Sequence, residues 1–466
     1  MNISAIRALR PTNKAISLFL CWGIIVNLPF LVLNIYFSHS RHNILLVYFL
    51  LFLVSTINFS SSRPQAVFLF LIYIIYLVVF FFDGMLFASK FFGLLFLELL
   101  HSIPNILMLD VFSFGPYLFI ALLFIFSALS VPFIAWKIRP VSNRDRIYVC
   151  AGFLLLFLLE LGLNGSPYYF TEKSQGFLNA ILQQEGESVK VDSAIGKAGM
   201  EEDSYLKKDR KIFIVMIESL GKFKDERINA EIFASLNDRD ISRRFDIAMG
   251  TISFRGSTTA GEMRELCGTR NSYLTILDAS FDVAKCLPNR LAEMGHRSIA
   301  FHGFRSGFFS RHLWYPAMGF TDNVFFEQFK AAGPEDPNRF CGGMFIGYCD
   351  RLIGEKIGKM IERGSGHKLY YWLTLNSHFP TRTSPGLEKG IDCEKYKLRE
   401  QICTMAYYWA EVIKMVAGIA KSKAASPFDI LIVGDHSPPV LYRDTRALFV
   451  DSQVPYVSLK WKAGAR

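Results

Sequence analysis

The chain has 466 residues, 51% of them hydrophobic and 15% aromatic, and its 51 Lys and Arg against 41 Asp and Glu give a net charge of +10. It is too long for one ordinary domain and too apolar for a wholly soluble protein. The basic excess is spread along the chain without a Lys/Arg-rich run or a base-stacking module, which argues against a nucleic-acid partner and leaves attraction to anionic lipid headgroups.

Most of the apolar excess lies in the first third. Five segments there, at roughly 15–37, 43–59, 66–87, 117–136 and 147–163, can cross a hydrocarbon core of ~30 Å at ~1.5 Å per residue, the second and fifth near the short limit. A cleaved signal peptide does not suit the first, whose apolar run is long, lacks a small-residue cleavage site and is followed by further spans. Arg7, Arg10 and Lys14 precede the first span, Arg63 follows the second, and Lys137, Arg139, Arg144 and Arg146 lie between the fourth and fifth. The opposite side has only Arg41 and Lys90 nearby, so the N-terminus is expected in the cytoplasm and everything after about residue 164 outside it.

Between the third and fourth spans, the apolar stretch KFFGLLFLELLHSIPNILMLDVF is broken by Glu98, His101, Pro104 and Asp110. It reads either as a helix in the outer membrane interface, bordering a lipid path, or as a buried connection packed on the bundle. Residues 164–210 are a polar connector rich in Gly, Ser, Glu and Lys. The expected domains are therefore a five-span bundle over 1–163, the connector, and an exported domain over 211–466.

Beyond the connector, short continuous apolar runs alternate with helical patterns. Strands are expected at 211–217, 297–303, 369–375 and 428–434, with helices after Thr259, near LPNRLAEMG and across the run from Glu394 to Ser422. Uninterrupted apolar strands separated by helices imply an α/β domain with a doubly wound, mainly parallel sheet, whose ligands bind beyond the carboxyl ends of the strands. Glu218, His302, His378, Asp435 and His436 all fall at such ends. Cys267, Cys286, Cys341, Cys349, Cys393 and Cys403 are an even set in an oxidising compartment, and the simplest pairing joins sequence neighbours: 267 with 286, 341 with 349, 393 with 403. Without short Cys-x-x-Cys spacing, they do not read as a zinc cluster.

Carboxylate, imidazole and hydroxyl oxygen together suit one divalent ion such as Zn²⁺ or Mn²⁺. In the turn RGSTTAGEMRELCG, Thr258 or Thr259 could be a nucleophile, because coordination to a dication activates a hydroxyl that is otherwise a poor nucleophile. With Thr259 as N-cap, Glu262 would complete a capping box, which assigns Thr259 a structural task and favours Thr258 for the chemistry.

The motifs IESLGKF, GSTTAGEMRELCG, FHGFRSGFFSRHLWYPAMGF, LTLNSHFP and VGDHSPP, in that order behind the membrane segments, resemble the membrane-bound phosphoglycerol transferases of the alkaline phosphatase and sulfatase superfamily, lipoteichoic acid synthases and osmoregulated-glucan phosphoglycerol transferases among them. The resemblance implies an alkaline phosphatase/sulfatase-like catalytic domain on the outer side of a bacterial cytoplasmic membrane. It implies Glu218, Thr258, Asp435 and His436 as ligands of one divalent metal, with a second ion admissible during turnover, and Thr258 as nucleophile. His302, Arg311 and His378 would bind the phosphate and alcohol, while Phe309 stands where lipoteichoic acid synthases have Trp. The implied reaction moves a phospho-alcohol, phosphoglycerol in the first instance and phosphoethanolamine as the alternative, from a membrane phospholipid to a cell-envelope glycan or lipid. CLPNR, at 286–290, fits the Cys-x-Pro-x-Arg pattern from which sulfatases make formylglycine, so a sulfate-ester hydrolase is the rival reading; the structural reading is a helix start with Pro288 in the first turn. A catalytically silent envelope protein using the fold as a binding platform is the rival from a different class.

Overall fold

The four apolar runs expected as strands form the middle of a seven-stranded mixed sheet. The computed structural model describes residues 12–37, 45–57, 62–110, 112, 114–137, 141–164, 191–331, 337–364, 366–423, 426–440 and 442–463. In chain order the strands are β1 (Lys211–Ile217), β2 (Phe245–Ser253), β3 (Arg297–His302), β4 (Asp322–Val324), β5 (Phe340–Cys341), β6 (Gly347–Tyr348), β7 (His367–Leu373), β8 (Phe428–Gly434) and β9 (Gln453–Trp461). The sheet order is β2-β9-β8-β1-β7-β3-β4, with β5 and β6 forming a separate two-stranded ribbon. Neighbours from β8 through β4 pair in parallel, whereas β9 and β2 add an antiparallel edge.

Side chains alternate across each strand. Ile212, Ile214 and Met216 of β1 join Tyr371 of β7 and Val433 of β8 in one buried cluster with Met263 and Leu266 of helix Thr258–Cys267 and with Trp314 of helix Arg311–Ala317. On the opposite face, helices Asp350–Arg363 and Glu400–Lys421 cover the sheet: a Cβ added to Gly354 would lie 3.2 Å from the Trp372 ring and 2.9 Å from Met415 Sδ. Helices on both faces bury the central parallel strands β1, β7 and β8 almost completely, as continuous apolar runs require.

The chain divides into two compact units, one comprising residues 1–90 and 115–183 and the other 91–114 and 184–466. In the first lie helices Asn13–Phe19, extended by a π-helical turn Leu20–Ile25, Leu28–Phe37, Leu45–Ser55, Ser62–Phe92, Gly115–Lys137 and Asn143–Asn164. Inside it, Tyr48 donates to Asp83 Oδ2 at 3.1 Å and Tyr76 to the Ser127 carbonyl at 3.0 Å, so these two buried hydroxyls find partners. Three helices among the described residues are long and apolar enough to cross a membrane: Arg63–Ser89, Gly115–Ile134 and Glu400–Lys421. The last is a core helix, with 78% of its apolar window buried. Residues 191–210 carry buried Ala194, Ile195, Tyr205 and Leu206 into the core of the second unit.

The six cysteines of the second unit are paired as sequence neighbours: Cys267 with Cys286, Cys341 with Cys349, and Cys393 with Cys403.

Candidate active site

The parallel register places the site. β1 and β8 run side by side with Ile217 opposite Gly434, so the next residues, Glu218 and Asp435, emerge together at the carboxyl edge. β7 and β3 deliver the Thr374–His378 loop and His302 at the same edge, with His302 opposite Leu373. Helix Thr258–Cys267 closes the site from above. Gly261 lets it approach, since a Cβ there would sit 2.9 Å from the Asp435 carbonyl oxygen.

Glu218, Asp435 and His436 are buried, and one ligand atom from each lies within 4.8 Å of the others. Thr258 Oγ1 is 3.2 Å from Glu218 Oε2 and 3.3 Å from His436 Nε2. Asp435 Oδ1 accepts the Ser219 and His436 backbone N–H groups at 2.6 Å each, while Oδ2 is buried with no hydrogen-bond partner. A buried carboxylate oxygen without a donor is costly, and here it lies 3.4 Å from His436 Nε2. Two buried carboxylates, an imidazole and a hydroxyl around such an orphaned oxygen form a donor set that fits a divalent cation.

The imidazoles are oriented by carbonyls, which only accept. His436 Nδ1 is 2.8 Å from Ser437 O, His378 Nδ1 2.8 Å from Phe379 O, and His302 Nδ1 3.1 Å from Leu373 O. Each therefore carries its proton on Nδ1 and leaves the Nε2 lone pair for the site. His378 Nε2 is 3.7 Å from Glu218 Oε1. Burial, then the neighbouring His436, pushes the His378 pKa down to about 3, and burial with the nearby Arg311 charge holds His302 well below its ordinary value. Both are neutral at physiological pH. The loop carrying His378 is pinned by Asp350, whose Oδ2 accepts the Leu375 and Asn376 N–H groups at 2.9 and 2.7 Å, and the Phe345 ring lies 3.7 Å from the His378 ring.

Arg311 is brought near the histidines but is not a free cation. Its Nε and Nη2 donate to Glu262 Oε2 at 3.2 and 2.8 Å, and Nη1 reaches only the Phe308 carbonyl, at 3.4 Å. Glu262 also accepts from the Tyr315 and Tyr371 hydroxyls. This corrects the expected capping box. The N-cap is Ser257, whose Oγ accepts from Ala260 N; Thr259 is a buried first-turn residue with its Oγ1 3.0 Å from Ser257 Oγ, and Glu262 serves Arg311 instead. Phe309 and Ser310 hold φ of 53° and 55°, a left-handed turn leading into Arg311. The Phe309 ring packs on Tyr273 and Phe308.

Several supporting residues carried no signal in the sequence. Ser219 Oγ donates to Glu218 Oε1 at 2.9 Å, and Ser377 Oγ and Trp409 Nε1 donate to the Glu218 carbonyl. Arg264, fully buried six residues along the Thr258 helix, donates to the Gly434 and Asp435 carbonyls at 2.8 and 3.0 Å and pairs with Glu265 at 2.6 Å. It ties helix Thr258–Cys267 to the end of β8 that carries Asp435 and His436. Cys286 is spent in its disulfide with Cys267, and Pro288 lies in the first turn of helix Leu287–Glu293, so CLPNR is a helix start and supplies no free thiol for formylglycine.

Burial, then the adjacent Asp435 carboxylate, raises the Glu218 pKa well above the usual carboxylate range. Cation binding must then expel a proton, so apparent affinity should rise with pH. The metal-free fold should lose stability as pH climbs from the unfolded carboxylate value of ~4.3 toward the raised folded value, because the unfolded state gives up its proton first. Titration calorimetry of the metal-free protein in buffers of different ionisation enthalpy should show protons released on binding Zn²⁺ or Mn²⁺; zero release would remove Glu218 from the ligand set.

A search against protein-family models finds no match, nor does a search of curated proteins. Among solved structures, the chain is similar to the lipoteichoic acid synthase LtaP from Listeria monocytogenes, at 18% identity and TM-score 0.40 over 54% of this chain and 65% of that one. It is similar to the phosphoglycerol transferase GacH of Streptococcus pyogenes in complex with sn-glycerol-1-phosphate, at 16% identity and TM-score 0.38 over 54% and 68% of the two chains. A third similarity is to the C-terminal periplasmic domain of EcEptC from Escherichia coli in complex with Zn, at 10% identity and TM-score 0.33 over 55% and 73%. The chain thus spans just under two thirds of the LtaP chain.

Proposed function

We propose that the protein is a metal-dependent phosphotransferase that moves a phospho-alcohol, phosphoglycerol in the first instance, from a membrane phospholipid to a cell-envelope glycan or lipid through a phospho-Thr258 intermediate. The observation that carries this reading is the meeting of the Thr258 hydroxyl with buried Glu218, His436 and the orphaned Asp435 Oδ2. When bound by these four residues, a divalent ion supplies Lewis acidity that favours the alkoxide form of the hydroxyl and offsets charge on phosphoryl oxygens.

The chain's own groups do the rest. Thr258 Oγ1 already donates toward Glu218 Oε2, which gives its proton a way out. The oxygen attacks the donor phosphorus, the bond to the diacylglycerol oxygen breaks, and that oxygen leaves with a proton as diacylglycerol. An acceptor hydroxyl then attacks the phosphorus, the bond from phosphorus to Thr258 Oγ1 breaks, and the acceptor's proton ends on the released Thr258 oxygen. The phosphoryl group sits on the first residue of a ten-residue helix, where backbone N–H groups and the helix dipole stabilise negative charge. His302 and His378, neutral with Nε2 open, suit contacts to the alcohol O–H groups of headgroup or acceptor.

Incubation of the full-length protein with phosphatidylglycerol or phosphatidylethanolamine labelled in the headgroup tests the reading. The glycerol label should become covalently attached and map to the peptide containing Thr258. Attachment of the ethanolamine label alone would replace the donor, and attachment of neither would reject the transferase.

We further propose the bilayer as a standing partner, with five spans over 1–163, a connector over 164–210 and the catalytic domain over 211–466 on the periplasmic or outer side of a bacterial cytoplasmic membrane. The Lys/Arg asymmetry and the three disulfides support this placement. A periplasmic reporter enzyme fused after residue 200 should be active and one fused near residue 141 silent; the opposite pattern would reverse the topology.

A further inference from the structure

Residues 91–114 connect two candidate membrane helices, Arg63–Ser89 and Gly115–Ile134, yet they belong to the compact unit that holds the catalytic sheet. Within that unit the segment runs along the rim of the Thr258 site. A Cβ on Gly93 would sit 2.8 Å from the carbonyl carbon of Gly256, two residues before Thr258. His101 Nε2 is 3.1 Å from Ser310 Oγ, next to Arg311. The Asp110 N–H donates to the Met344 carbonyl at 2.9 Å, beside the Phe345 ring that covers His378, and the Phe114 ring meets Phe379 at 5.6 Å, beside His378 itself. Glu98 clamps the segment: buried, it accepts from the Leu95 N–H and from Ser272 Oγ.

The same segment carries apolar side chains with nothing to cover them in this unit. Leu107 is 92% exposed, Phe112 77%, Ile106 52% and Ile103 38%. Such a cluster within ten residues marks an interaction surface. Connectivity selects the occupant. Two successive crossings in opposite directions begin and end this segment at the same membrane face, so the covering phase is the lipid interface, where an amphipathic element buries its apolar side ~5–10 Å deep.

We propose that Ile103–Phe112 is the membrane seat of the catalytic unit: its apolar side chains enter the acyl boundary of the leaflet while its other side frames the Thr258 site, so a donor phosphodiester reaches Thr258 without its acyl chains leaving the bilayer. The seat deepens the proposed lipid-donor reading and rests on it for the identity of the substrate. Depth and chemistry can be read separately. In proteoliposomes of the full chain, with Cys21 and Cys150 changed to Ser, a nitroxide on Leu107→Cys should collide with oxygen in preference to a water-soluble nickel complex. The same label on Arg243→Cys, an exposed position far along the chain, should do the reverse. A water-exposed label at 107 would overturn the seat whatever the enzyme does. Leu107→Asp and Phe112→Asp should lower turnover of bilayer phosphatidylglycerol at least ~10-fold by losing the effective concentration that seating provides. Cleavage of the deacylated, water-soluble headgroup diester should stay within about twofold of wild type. Equal losses on both donors, or none on either, would also overturn it. A label at membrane depth in an enzyme that attacks neither donor would reject the transferase reading and leave the seat standing.

Discussion

Thr258→Ala should abolish transfer, with a fall exceeding ~10⁴-fold of the kind seen when a covalent nucleophile is removed. The substitution deletes one oxygen, Thr258 Oγ1, which is both the proposed nucleophile and the donor to Glu218 Oε2. Thr259→Ala provides the contrast. Thr259 lies one residue on in the same first helical turn, but its hydroxyl faces Ser257 at 3.0 Å rather than the carboxylates, so its loss should cost about 1 kcal/mol of stability and leave the chemistry largely intact. Ser257→Ala, which removes the true cap, should cost ~0.5–2 kcal/mol. Peptide mass spectrometry of enzyme trapped with labelled donor, beside circular dichroism to show each variant folded, checks all three. A phospho-adduct on Thr259 would overturn the assignment of the nucleophile.

The sequence showed the middle of the sheet and not its edges, for a physical reason. β1, β7 and β8 are buried on both faces and read as largely apolar runs, whereas β2 is mostly exposed or half-buried, with only Phe245 and Ile252 buried and no regular alternation, and β9 contains Pro455, both of which blur a strand signal. The site residues at strand ends were legible because a parallel sheet converts sequence position directly into spatial convergence. The environment of Arg311 was not. Its partner Glu262 lies 49 positions away and satisfied a local rule, the capping box, equally well on paper. Arg264 was silent for a similar reason: its partners are backbone carbonyls, which no side-chain pattern records. Gly93–Phe114 was ambiguous between interface and bundle because composition reports apolarity without saying what covers it; the clamp at Glu98 and the contacts to Ser310 and Met344 place it with the catalytic sheet.

Glu262→Gln should destabilise the catalytic unit by ~3–5 kcal/mol, the usual result of leaving one member of a buried ion pair without its partner. Glu262 is fully buried and its Oε2 takes two guanidinium nitrogens of Arg311, with the Tyr315 and Tyr371 hydroxyls on Oε1. Glutamine keeps the shape but presents one oxygen and an amide that opposes the guanidinium. Arg311→Met alone should cost a comparable amount by stranding the carboxylate. The double variant should cost much less than the two single losses together, because neither charge is then left unpaired. Thermal unfolding of the detergent-solubilised chain measures the cycle. Its kinetics carry the functional half of the question: with Glu262 uncharged, Arg311 no longer shares its charge with a carboxylate and is free to grip a phosphodiester, so among folded Glu262→Gln molecules KM for donor should fall while kcat drops with the misplaced guanidinium. Arg311→Met should raise KM. Additive stability losses in the cycle would mean that Arg311 and Glu262 do not act as a pair, and an unchanged KM in both variants would reject a substrate-binding role for Arg311.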